Sequence, residues 1–263
     1  MKKFFAALFV VLVVSLSAAN AFAQENLTGP PPYGDFKATK FPDDEHRSNP
    51  GPPRIHREDR VLKKGPLAPP PNDREALKSF LQNSNTGLVR LMGSAVNQSG
   101  SSSVKPKMNV ARKGAYYSFA NRTHGYGYGS DIELEGDAFS AGFYWPADYG
   151  MLANIGNTPL EEITIDDVQV RPIAAYRVPR SRTEVLELRR LLSSGEGITL
   201  DGRLYQRSVP VREHSTYLLR SIADSTSSVL VAFRVVRQET DGSVIIAWKL
   251  LKRYSAPKLK RNN

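Results

Sequence analysis

Val229-Leu-Val-Ala-Phe-Arg-Val-Val-Arg-Gln-Glu239, then Thr240-Asp241-Gly242-Ser243, then Val244-Ile-Ile-Ala-Trp-Lys-Leu-Leu-Lys-Arg-Tyr254 form the stretch that decides the fold class. β-Branched and aromatic residues dominate both runs, and Asp-Gly between them is a two-residue hairpin signal. With Asp241-Gly242 as the loop, Thr240 faces Ser243, Val235 faces Trp248 and Phe233 faces Leu250. The apolar faces of the two strands then coincide, as a correct register requires. The same register sets Arg234 against Lys249, a mildly unfavourable pair unless an acidic group or an anion lies between them.

The rest of the domain repeats this pattern. Asp131-Ile-Glu-Leu-Glu135 alternates polar and apolar, and Gly136-Asp137 separates it from Ala138–Phe143 as a second hairpin. The alternation puts Asp131, Glu133 and Glu135 on one solvated strand face. Asp201-Gly202 divides Ile198–Leu200 from Arg203–Val209. Two segments carry a helical period instead. Asn72 and Glu75 have capping-box spacing ahead of the stripe Leu77, Phe80 and Leu81, which predicts a helix over 73–82. Ser181 and Glu184 repeat the spacing ahead of Val185, Leu188, Leu191 and Leu192, and Gly195 stops a helix over 182–193. The expected fold is mostly β: an antiparallel sandwich or partly closed barrel with two short helices.

The flanks differ in composition from this domain. Lys2 and Lys3 precede an apolar run from Phe4 to Val14 and the small-x-small triplet Ala21-Phe22-Ala23, the order of a secretory signal peptide over residues 1–23. The run is too short to span a bilayer as a helix, so no transmembrane span is expected after cleavage. A bacterial periplasmic or extracellular location follows as an expectation. Residues 24–72 hold 11 of the 18 prolines and 15 charged side chains without a strand or helix period, and read as a disordered, proline-rich tether. Residues 73–256 then form a single β-rich domain, and 257–263 a basic tail.

The net charge of +10 suggests nucleic-acid binding until it is divided along the chain. Residues 73–248 have 20 basic against 19 acidic side chains, whereas 249–263 have 6 basic and none acidic. The charge is therefore local, and a nucleic acid is not an expected partner. Lys252, Arg253, Lys258, Lys260 and Arg261 instead form a candidate contact for an anionic envelope surface, with the last three on a free end beyond Pro257. The alternative is a solubilising terminus that blunts an edge strand.

With no cysteine, disulfides, thiolate metal sites and cysteine nucleophiles are excluded together. Gly-x-Ser-x-Gly, His-Glu-x-x-His, phosphate-loop and calcium-loop patterns are absent, so no metal and no cofactor is expected. One stretch is unusual: Ala115–Tyr149 holds ten aromatics in 35 residues, interleaved with Gly125, Gly127 and Gly129. Tyrosine offers a flat apolar face with a polar tip, and glycine lets a backbone approach a ligand closely. Tyr116, Tyr117, Tyr126, Tyr128, His124 and Asp131 are therefore the candidate ligand-binding residues, for an envelope glycan or similar partner. The alternative is that these aromatics pack the sheet. The sequence fits an exported, non-catalytic binding or envelope-associated module. A wall-acting hydrolase using His124 and Asp131 and a structural subunit pairing through its edge strands are the other two readings, and the oligomeric state is open.

Overall fold

Ile132–Glu135 (β4) and Ala138–Ser140 (β5) pair across Gly136-Asp137, with Glu135 opposite Ala138, as their alternation predicts. They belong to one of two five-stranded antiparallel sheets. The computed structural model describes residues 65–93, 114–124, 129–143 and 148–259. The first sheet runs β1–β12–β11–β10–β6, from Thr86–Leu91 (β1), Val244–Arg253 (β12), Ser227–Gln238 (β11), Thr216–Ala223 (β10) and Asp148–Asn154 (β6). The second runs β3–β2–β4–β5–β9, adding Thr123–His124 (β3), Tyr116–Ser118 (β2) and Ser208–Pro210 (β9). Pro210 sits on the edge strand β9, where a missing N–H costs the ladder least. Ile198–Leu200 (β7) and Arg203–Tyr205 (β8) form a separate two-stranded hairpin over Asp201-Gly202.

The sheets face each other as a sandwich, not a closed barrel, and aromatic rings fill the space between them. Phe119, Phe139, Tyr217, Phe233 and Trp248 form a chain of ring contacts with centroids 5.0–6.1 Å apart. Edge-to-face and offset contacts at such spacings add to the stability that burial alone supplies. Much of the aromatic excess in 115–149 is thus core: Tyr117, Phe119 and Phe139 lie in the sandwich. Tyr149 is buried on the opposite face of the first sheet.

That opposite face is covered as well. Three short helices, Pro71–Ala76 (α1), Arg171–Ala174 (α2) and Arg182–Ser193 (α3), accompany it, and Ile173, Val185, Leu188 and Leu192 pack on Met151, Leu218 and Leu230. All eight residues of β10 are consequently buried, Arg220 among them. Helix α3 begins and ends as its sequence predicts, with both halves of the Ser181–Glu184 capping box formed. The helix expected over 73–82 is shorter: α1 ends at Ala76 and a single 3₁₀ turn follows at Phe80–Gln82. Pro70 is its N-cap and no side chain caps it, so the Asn72–Glu75 box does not form. Pro69, inside the segment expected to be tether, is buried.

The register of the β11–β12 hairpin differs from the expected one. Glu239 N–H bonds to Ser243 O and Gly242 N–H to Glu239 O, so the loop has three residues, Thr240-Asp241-Gly242, and Gly242 takes the positive φ (77°) that closes it. A bulge at Val236 shifts the pairing once more, and Phe233 faces Trp248 while Val235 faces Ile246. The two displacements sum to an even number, so the apolar faces still coincide. Arg234 now faces Ala247 and Lys249 faces Ala232, which removes the like-charge pair. Lys249 Nζ instead bonds to Ile163 O at 2.7 Å, and Arg234 to Thr158 O at 3.2 Å.

Candidate functional site

Among the described residues strand β1 pairs only with β12, and the β2–β3 hairpin comes to rest beside its other edge. Between them lies a cleft of about 80 Å³ lined by Leu67, Pro69, Leu88, Arg122, His124 and Trp248, among others. Its existence depends on Gly87. Trp248 is the cross-strand partner of Gly87, and a β-carbon at position 87 would fall 2.5 Å from the indole Cε2 and Cζ2 atoms. The missing side chain is what lets the indole lie flat against the backbone of β1.

His124 Nε2 lies 3.0 Å from Arg90 O. A carbonyl oxygen only accepts, so Nε2 carries the proton and Nδ1 is left as an acceptor. Burial holds the imidazole below its ordinary pKa, against the opposing effect of the Arg90 bond, so the ring is neutral near pH 7. Nδ1 is buried with no hydrogen-bond partner among the described residues, and so is the Trp248 Nε1 donor. Arg122 completes the wall. Its guanidinium carbon sits 5.4 Å from the Trp248 ring centroid, it donates to Ser84 O, and its backbone has φ 55°. A left-handed arginine is uncommon and marks a position where the surroundings over-determine the backbone.

Asp131 is placed differently from the sequence expectation. Far from standing on a solvated face, it is 1% exposed and accepts bonds from Ser221 Oγ (2.6 Å), Ala120 N (3.1 Å) and Ser118 Oγ (3.3 Å). It lies just before β4, where the chain has turned inward, and so it joins the β2–β3 turn to β10 across the sandwich. Burial raises its pKa although all these bonds lower it. Glu133, opposite Tyr116 and bonded to its hydroxyl, is half-buried and shifted upward by the same cause, and only Glu135 is exposed. His124 and Asp131 have separate partners and do not bond to each other, so the acid–base pair of the hydrolase reading is not assembled here.

Of the candidate ligand-binding residues, Tyr117 and His124 line the cleft, Tyr116 packs edge-on against Phe143 at 5.3 Å, and Asp131 is buried away from the lining. Tyr126 and Tyr128 lie outside the described residues. Trp248 and Arg122 were not among the candidates. Trp248 reads as core on its strand, and only its pairing with a glycine, invisible until β1 is placed, gives it an edge to offer. Among the described residues there is no group of three metal-ligating side chains.

The basic terminus is docked rather than loose as far as Leu259. Pro257 O accepts from Ser225 N at 2.7 Å and Leu259 N donates to Asp224 Oδ1 at 2.9 Å, which corrects the expected free end. Lys258 is exposed there, and Lys260 and Arg261 lie outside the described residues. Arg253 donates to Ala120 O and Lys252 lies 4.9 Å from the Tyr254 ring, so adjacent strand positions send these two cations to opposite faces. No described helix is long and apolar enough to cross a membrane. No family model, curated protein or solved structure matches the chain.

Proposed function

We propose that this chain is an exported, non-catalytic binding module that holds an envelope ligand in the cleft between the β1 edge, Trp248 and the β2–β3 turn. The observation that carries this reading is the pair of buried ring nitrogens of opposite polarity, the His124 Nδ1 acceptor and the Trp248 Nε1 donor, on two residues that line one cleft, neither with a partner among the described residues. A buried donor or acceptor left unpaired costs about 1–3 kcal/mol, so two beside one opening favour a ligand that supplies both a donor and an acceptor. The left-handed Arg122 adds a positive charge at the same place. Export is supported by Lys2, Lys3, the Phe4–Val14 run and Ala21-Phe22-Ala23.

The test is an NMR titration of the full chain with soluble cell-wall fragments, which carry both sugars and peptides. The Trp248 indole N–H and the His124 ring signals should shift saturably. Arg122→Asn, which tolerates the left-handed backbone, should weaken binding by about tenfold and leave thermal unfolding unchanged. If neither ring responds to wall fragments or to envelope-protein peptides, the cleft is not a binding site.

A further inference from the structure

Strand β1 carries unpaired main-chain groups along the cleft. Leu250 N–H bonds to Asn85 O, so odd-numbered residues of β1 turn their main-chain groups toward β12 and even-numbered ones turn them away. Several outward groups are satisfied: Thr86 N–H by Asn83 O, Arg90 C=O by His124, and Met92 N–H by Gly114 O. The N–H and C=O of Leu88 and the N–H of Arg90 have no partner among the described residues. Such a row is a template for one more strand.

Charge and shape narrow the occupant. Arg90 is neutralised by Glu239 at 2.6 Å and Asp241 at 2.8 Å, but Arg122 has no carboxylate partner among the described residues. Of the stretches outside the described residues, 94–113 contains four basic side chains and no acidic one and 125–128 contains no charged side chain, so neither supplies the missing charge. With about 80 Å³ among Leu67, Pro69, Arg122, His124 and β1, the cleft has room for a side chain of an extended segment and not for the folded sheet edge of a second copy.

We infer that the unpaired edge of β1 receives an extended acidic segment of another protein as an added antiparallel strand. The main chain of that segment bonds to Leu88 N–H and C=O, one side-chain amide, which both donates and accepts, enters the cleft beside His124 and Trp248, and a carboxylate meets Arg122. This rests on the cleft being a binding site.

The test uses the full chain and the acetylated, amidated hexapeptide Thr-Glu-Thr-Gln-Thr-Thr, in which Glu and Gln share a face. Hydrogen exchange at the Leu88 amide should slow about tenfold at saturating peptide. The same peptide N-methylated at its third and fifth residues should give no protection, and replacing its Glu by Lys should weaken binding severalfold. Leu88→Pro removes an outward N–H from an edge strand, together with the packing of the Leu88 side chain on the second core cluster, and should weaken binding by about tenfold. The N-methylated peptide keeps the inference testable if that variant does not fold. A Leu88 amide already protected in the free monomer, or protected through self-association seen by sedimentation, would overturn it, since the occupant would then be this chain. Wall fragments shifting Trp248 while the peptide leaves Leu88 unchanged would remove strand addition and leave the binding reading standing. If neither ligand touches the cleft, both fall.

Discussion

Trp248 and Gly87 face each other across the β1–β12 ladder with no room for a β-carbon between them: one built on Gly87 lies 2.5 Å from the indole. The sandwich core therefore ends at Trp248 in contact with bare backbone, and the cleft opens from that contact.

Gly87→Ala should force the indole out of this position. Overpacking of this kind costs about 1–3 kcal/mol, measured as a lower denaturant midpoint at unchanged slope. The same variant should lose ligand-induced shifts of Trp248. A midpoint equal to the parent's would show that the indole can move freely, and that the cleft is not held by this pair.

Asp131 gives the protein a pH dependence of defined sign. Its folded pKa is raised by burial, so the folded state holds the proton more tightly than the unfolded one. The stability it contributes is full below the ordinary aspartate pKa and is lost as pH rises through the folded value, with a slope of at most about 1.4 kcal/mol per pH unit for one proton. Asp131→Asn keeps an acceptor for Ala120 N and should flatten that part of the profile between acid and neutral pH. An unchanged profile would assign the slope elsewhere.

Arg220 is 1% exposed with no carboxylate partner among the described residues; its guanidinium stacks 3.7 Å over the Tyr254 ring, bonds to Val229 O, and leaves Nε unpaired. Desolvation lowers its pKa, offset in part by Tyr254, Tyr149 and Tyr176. A buried cation with no carboxylate beside it carries a desolvation cost that an apolar side chain of similar length avoids. Arg220→Met should unfold at the same temperature or higher. A loss of more than about 2 kcal/mol would mean that the cation is answered by an anion in solution.

Ser181→Ala removes the hydroxyl that accepts from Glu184 N in the capping box of α3. The expected cost is about 1 kcal/mol, read from thermal unfolding. No effect would indicate that packing of Val185, Leu188 and Leu192 alone holds the helix.

Much of the fold was legible because its signals are local. The Ser181–Glu184 box, the stripe behind it and Gly195 define α3 to the residue, and Gly136-Asp137 defines the β4–β5 turn. The β11–β12 hairpin was legible in its faces but not in its register. A three-residue loop and a bulge at Val236 have no strong sequence mark, and their combined even shift hides the error from any test of which side is apolar. The candidate site was legible only in part. His124 was visible as one of four histidines, but the residues that meet it come from β1, the β2–β3 turn and β12, the last more than a hundred residues from the other two.

By itself the sequence determined the β class, the hairpins, the well-capped helix and the local origin of the net charge, because propensity, alternation and capping act between near neighbours. Tertiary structure alone decided that the first sheet is buried on both faces, that Asp131 turns inward to join the two sheets, and that a tryptophan lies against a glycine at an unpaired strand edge. Those outcomes depend on which strands become neighbours, and that is set by packing between segments remote in the chain rather than by the pattern within any one of them.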